Sequence, residues 1–203
     1  MNKLFSFLKH YNELSTLDLF RKVIFRALDF FDFQFFRKAR CLVYFKSARV
    51  ILGKNVSLIG YSSNLKIGSD INVYNNCIFE LGSASNLEIG NKVIFSYGCI
   101  ICVTKSLKIG DNVQIGEYSS IRDTTHDYTD FGQPMMINQD LSKSIVIGNN
   151  VWIGKNCLIM PGSVIEDGVV VGANSLVNGT LKKDFIYAGN PIKEIKKRPS
   201  HLI

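Results

Sequence analysis

From Ile67 onward an aliphatic or aromatic residue returns at every sixth position, and no other feature constrains the fold as strongly. Ile67, Val73 and Phe79 form one set, Ile89, Phe95 and Ile101 a second, and Ile109, Ile115 and Ile121 a third. Ile147, Ile153, Ile159, Ile165, Val171 and Val177 then follow without a gap. A period of six is not helical, and it is three times the strand period of two. It suits a coil with flat faces, each face taking about six residues and aiming one large side chain inward. Glycine often follows the inward residue, as at Gly116 and Gly154, where it permits positive φ or close approach of two backbones. Four positions after the inward residue stand small or β-branched side chains, and Cys77, Cys99 and Cys157 fall on that slot. These cysteines read as compact interior filler. The pattern predicts an all-β, parallel β-helix in which each coil buries part of an aliphatic column and pairs its backbone with the coils on either side.

The beat is stretched at two places and broken at one. Its spacing grows to ten between Phe79 and Ile89 and to eight between Ile101 and Ile109, which predicts small bulging loops. Between Ile121 and Ile147 it reaches 26, so a loop over 122–146 is predicted to project from the coil. His126 stands at the start of this interruption, and the other two histidines, His10 and His201, lie near the chain ends. A regular scaffold interrupted at a titratable residue is a place to expect chemistry.

Charge divides the chain further. The formal net charge is +7, but residues 1–50 carry ten Lys/Arg against four Asp/Glu. Lys193, Lys196, Lys197 and Arg198 add to it near the other end, which leaves the repeat body slightly acidic. No nucleic-acid footprint over the fold is expected. Five cysteines without a CxxC ladder and partner histidines argue against zinc or a disulfide framework, and fit a reducing cytoplasm. The opening segment lacks a convincing cleavage site, so no signal peptide is expected. No uncharged run approaches the ~20 residues of a bilayer span.

Residues 1–50 do not share the beat. Ser15 followed by Asp18 resembles a capping box, and Leu17, Phe20, Ile24, Leu28, Phe31 and Phe35 follow helical spacing. Two readings stand: a helical cap shielding the first coil, or an interfacial helix giving peripheral contact with an anionic membrane face. The predicted organisation is a helical cap over 1–50, a β-helix over 51–192 and a short basic tail over 193–203.

The run GNNVWIGKNCLIMPGSVI, then VVVGANSLV and YAGNPIKEIKK, resembles the hexapeptide-repeat acyltransferases, in particular their sugar and polysaccharide O-acetyltransferase branch. The resemblance covers roughly 50–197 and is most specific over 145–197. It implies a left-handed β-helix, a homotrimer, and acetyl-CoA bound as co-substrate in a groove between subunits. The hand rests on the resemblance alone, since parallel crossovers are ordinarily right-handed.

His126 matches the family's catalytic histidine. Independently, moving an acetyl group from a thioester to a sugar hydroxyl requires a base for a weakly acidic alcohol, and imidazole suits that task near neutrality. Asp123, Asp127 or a backbone carbonyl is expected to hold the other ring nitrogen. Trp152, outward by alternation, matches a residue walling the acetyl-CoA or acceptor channel. Lys155, Ala173 and Asn174 match positions lining the CoA groove, and Lys193 and Lys196 match cations that meet its phosphates. Ser96 matches an acceptor-contacting position. Where relatives often carry Thr-Lys, this chain has Asn178 and Gly179.

The expectation is therefore O-acetylation of a sugar or glycan hydroxyl, without a metal, in a bacterial surface-glycan pathway. N-acetylation of a nucleotide-linked amino sugar is the alternative within the fold, and a non-catalytic β-helical scaffold the alternative outside catalysis. A β-helical carbonic anhydrase is excluded, because it needs three histidine ligands for zinc and the repeat body has one histidine.

Overall fold

The computed structural model describes Ile24, Tyr44, Phe45 and residues 50–199 except 63, 130 and 133. The predicted capping box and most of the predicted N-terminal helix lie outside the described residues. Tyr44 and Phe45 are buried at the start of the coil, where the Phe45 ring meets Phe79 edge-on at 5.4 Å. No helix among the described residues is long and apolar enough to cross a membrane.

The body is a parallel β-helix, consistent with the left-handed coil of hexapeptide repeats. Successive strands visit three faces in rotation, and a strand pairs with the strand one coil away. Face A carries β1 (Val50–Leu52), β4 (Ile71–Val73), β7 (Ile94–Phe95), β10 (Gln114–Ile115), β15 (Trp152–Ile153), β18 (Val170–Val171) and β21 (Phe185–Ala188). Face B carries β2 (Ser57–Gly60), β5 (Ile78–Leu81), β8 (Ile100–Val103), β11 (Ser120–Arg122), β16 (Leu158–Ile159) and β19 (Leu176–Val177). Face C carries β3 (Asn64–Ile67), β6 (Asn86–Ile89), β9 (Ser106–Ile109), β14 (Ile145–Ile147), β17 (Val164–Ile165) and β20 (Thr180–Leu181).

Parallel register turns the beat into three columns. Val73, Phe95, Ile115, Ile153 and Val171 stack under face A. Phe79, Ile101, Ile121, Ile159 and Val177 stack under face B. Ile67, Ile89, Ile109, Ile147 and Ile165 stack under face C. All but the half-buried Ile67 are at most 3% exposed. Each such side chain contributes about 1.5–3 kcal/mol through removal from water. Cys77, Cys99 and Cys157 are buried free thiols between these columns, as their slot implies.

The glycine after the inward residue works through close approach. A Cβ on Gly154 would lie 2.6 Å from the Ala173 amide nitrogen, so a side chain there would push the next coil away. Positive φ falls instead three residues after the inward residue, on Asn76 (62°), Asn112 (56°), Asn156 (55°) and Asn174 (57°), where a short amide tolerates the left-handed corner.

Where the beat stretches, the spare residues do not bulge as loops alone. They lengthen the strands, so that Leu81 and Leu87 in one coil, and Val103 and Leu107 in the next, add a second buried pair beside the B–C corner. The large insertion is also more ordered than a loop. Its root is an antiparallel ladder of β12 (Thr124–His126) and β13 (Asp140–Ser142), and a 3-10 turn at Met135–Ile137 forms part of its outer end. The predicted tail likewise begins as a strand: β22 (Lys193–Lys197), exposed throughout, runs antiparallel to β21.

Candidate active site

The insertion leaves the coil where face B turns into face C, and its hairpin register decides what His126 meets. His126 lies directly opposite Asp140 across the β12–β13 ladder. Its Nδ1 is 2.7 Å from the Asp140 Oδ1. With Nδ1–H donated to the carboxylate, Nε2 carries the lone pair, and no described residue bonds to it. The imidazole is 75% exposed and the Asp140 side chain 47%, so the pair stands open to an incoming group. The two residues share a hollow of about 420 Å³ with Arg122, Thr124, Thr125, Leu158, Met160 and Pro161.

Asp140 is the residue that sequence reasoning missed, and both aspartates expected in its place are otherwise engaged. Asp123 is fully buried. It follows Ile121 as Val103 follows Ile101, so it ends the same inward row. Its carboxylate accepts the backbone N–H groups of Thr104, Lys105 and Ser106 at 2.8, 2.7 and 2.8 Å, closing the turn of the neighbouring coil. Asp127 accepts the amide and hydroxyl of Thr129 at 2.8 and 2.7 Å. Those two bonds, the hydroxyl first, hold its carboxyl below the usual range. Neither carboxylate is bonded to His126.

A second hollow of about 410 Å³ lies on face A and gathers four residues that the sequence reading picked out. Ser96, Trp152, Lys155 and Ala173 line it with Ile94, Gln114, Gly116, Glu117 and Gly154. Trp152 points outward from β15 and is 56% exposed. The small residues on the successive coils, Gly116, Gly154 and Ala173, keep the floor at backbone level, where an extended chain can lie against peptide groups.

Three expected residues stand apart from this groove. Asn174 follows Ala173 but turns along the corner, where its Oδ1 accepts from the Asn156 amide at 2.9 Å. Lys193 and Lys196 sit on β22, opposite Ala188 and Ile186 of β21. Within one chain the His126 hollow and the Trp152 groove are also on different faces of the coil, separated by the A–B corner.

The description "Bacterial transferase hexapeptide (six repeats)" matches residues 144–179. WbbJ of Escherichia coli K12, which carries the provisional name of a lipopolysaccharide biosynthesis O-acetyl transferase, is 38% identical over 104 residues, covering 48% of this chain and 53% of that protein. The galactoside O-acetyltransferase of the same organism is 33% identical over 127 residues, 58% of each chain. The chain thus spans a little over half the length of these curated relatives. Among solved structures, AntD, an N-acyltransferase from Bacillus cereus in complex with dTDP and 3-hydroxybutyryl-CoA, superposes with a TM-score of 0.63 at 22% identity, covering 74% of this chain and 81% of that one. At that identity the likeness concerns the fold.

Proposed function

We propose that this chain, whose residues 144–179 match the hexapeptide-repeat transferases and which resembles two O-acetyltransferases of that kind, transfers an acetyl group from acetyl-CoA to a sugar hydroxyl, in the making of a bacterial surface polysaccharide. One observation carries the reading: an exposed imidazole whose Nδ1 is held by a carboxylate at 2.7 Å and whose Nε2 is bonded to no described residue. That is the arrangement of a general base with its tautomer fixed.

In this mechanism the acceptor hydroxyl approaches Nε2 of His126 and gives up its proton as its oxygen attacks the thioester carbonyl. The negative charge of Asp140 stabilises the imidazolium that forms. Collapse of the tetrahedral intermediate breaks the carbon–sulfur bond, and the imidazolium returns the proton to the departing CoA sulfur. No covalent acyl-enzyme is required. Cys77, Cys99 and Cys157 are poor candidates for one because they are at most 2% exposed. The hydrogen bond with Cys77 and then burial also push the Cys99 thiol up, burial does the same for Cys157, and the Cys99 hydrogen bond lowers Cys77.

The Trp152 groove, with Lys155 at its edge and Ala173 in its floor, takes the pantetheine arm, and Ser96 faces the acceptor. A homotrimer completes the site by setting the groove of one subunit against the His126 hollow of the next. The outer part of the insertion supports this arrangement. Phe131 is 96% exposed, Met136 86% and Ile137 61%, more apolar surface than one short loop ordinarily leaves to water.

The test is thiol release from acetyl-CoA in the presence of sugar acceptors, for the native chain and for His126→Ala. The variant should lose about 10²–10⁴-fold in kcat, the range for a positioned base, while sizing and melting show the native assembly. Full turnover by His126→Ala would remove the base, and absence of turnover by the native chain with every acceptor would return the scaffold reading.

A further inference from the structure

Resting on the acetyl-transfer reading, the hollow beside His126 says something about the acceptor itself. Its charges are unbalanced. Asp140 is the carboxylate in its lining, and Asp140 is engaged by His126. Arg122, in the same lining, is exposed and forms no ion pair with any described residue. Along face B its neighbour in register is Cys102, with Glu80 one strand further on. Strands lie about 4.8 Å apart, so Glu80 is two steps from Arg122, and its Oε2 accepts the Cys102 thiol at 3.3 Å instead. The guanidinium is left to the hollow.

Thr124 gives an independent sign. The residue is 7% exposed, lines the hollow, and its hydroxyl has no hydrogen-bond partner among the described residues. A buried hydroxyl is rarely left unsatisfied, and a ligand oxygen is a ready partner. On the rim, the stem of Lys143 passes over Gly162, next to Pro161 of the lining, and its ammonium forms no ion pair with any described residue. Leu158, Met160 and Pro161, from the next coil, give the same lining an apolar part suited to the C–H face of a sugar ring.

We propose that this hollow selects an acceptor sugar bearing an anionic group, a carboxylate or a phosphate, held by the Arg122 guanidinium with the Thr124 hydroxyl and steered by Lys143, so that a neighbouring hydroxyl faces Nε2 of His126. A planar guanidinium matches both anions through paired N–H bonds. A neutral sugar leaves it unused.

The experiment compares matched acceptors with the native chain: 4-nitrophenyl glucuronide against the glucoside, the galacturonide against the galactoside, and glucose 1-phosphate against glucose. Thiol release from acetyl-CoA is the readout. The anionic member of at least one pair should have a kcat/KM at least tenfold higher, and the pair that responds separates carboxylate from phosphate. Arg122→Gln should reduce that ratio about ten- to hundredfold, chiefly through the acceptor KM, and Arg122→Lys should recover part of it. Equal or better use of the neutral members overturns the proposal, as does a ratio that survives Arg122→Gln. A rise in the KM for acetyl-CoA with every acceptor would assign Arg122 to the CoA phosphates, and also overturns it. If no acceptor of either kind raises thiol release, the acetyl-transfer reading fails instead.

Discussion

Replacing Asp140 with Asn separates the charge of the His126 partner from its hydrogen bond. The amide oxygen still accepts from Nδ1, so the tautomer and ring orientation persist while the negative charge is lost. Two unit charges 4 Å apart attract by about 1 kcal/mol in bulk water and about 4 kcal/mol at an effective dielectric of 20. With the imidazole 75% exposed and the carboxylate 47% in the isolated chain, the lower end applies before substrates bind. In the proposed trimer, with acceptor, CoA and a neighbouring subunit over the pair, the stabilisation of the imidazolium rises to about 1.5–3 kcal/mol, which is roughly ten- to a hundredfold in rate. The loss falls on kcat, because the charge acts on the imidazolium formed in the transition state, and the acceptor KM stays near its native value. Initial rates of thiol release at saturating acetyl-CoA measure it. Melting should move little, since exposed pairs are worth about 0–1 kcal/mol. Asp127→Asn, which disturbs only the bonds to Thr129, should keep kcat within about twofold by the same reasoning. An Asp140→Asn enzyme with native kcat, or an Asp127→Asn enzyme that falls as far, would refute the assignment of the partner.

Gly154→Ala sets a Cβ against backbone atoms of the next coil, with Ala173 N at 2.6 Å and Val171 O at 2.9 Å. The coils must shift, at a cost of about 1–3 kcal/mol, and the melting temperature should drop by roughly 3–10 °C. Gly82→Ala, whose Cβ meets nothing nearer than 3.5 Å, should leave melting unchanged or slightly raised. Cys102 is pushed up to about 11, first by burial, with the Glu80 hydrogen bond adding to the effect. The folded chain therefore keeps a proton that the unfolded chain releases near pH 9. This contribution to stability is present below that pH and is lost as pH rises toward 11. Iodoacetamide labelling of Cys102, followed by peptide mass, should be far slower than for a free thiol at pH 8 and should climb steeply above pH 10.

The columns were legible because a buried side chain must recur at the period of the coil, and Phe95, Ile115 and Ile153 do so whatever surrounds them. His126 was legible as the titratable residue at the break, and Trp152 as an outward residue between two inward ones. The partner of His126 was not. Asp140 lies fourteen positions away, and only the ladder of Thr124–His126 with Asp140–Ser142 brings it opposite. Nearness in sequence pointed to Asp123 and Asp127. Yet Asp123 stands two residues beyond Ile121, as Leu81 stands beyond Phe79 and Val103 beyond Ile101, and the beat itself assigns it to the interior. The grouping of Ser96, Trp152, Lys155 and Ala173 follows from stacking, since residues about one coil apart become neighbours. Lys193 and Lys196 escaped that logic because β22 reverses direction.

The most direct test of the account is the chemical nature of the product. The native chain and His126→Ala are incubated with acetyl-CoA and the sugar acceptors, and the acetylated product is identified by mass and treated with hydroxylamine. The account predicts an acetyl group on the sugar that hydroxylamine removes, as it removes an ester, and that His126→Ala does not form at a comparable rate. A hydroxylamine-resistant acetyl group, formed only on amino sugars, would contradict O-acetylation. An ester formed equally well without His126 would contradict its role as the base.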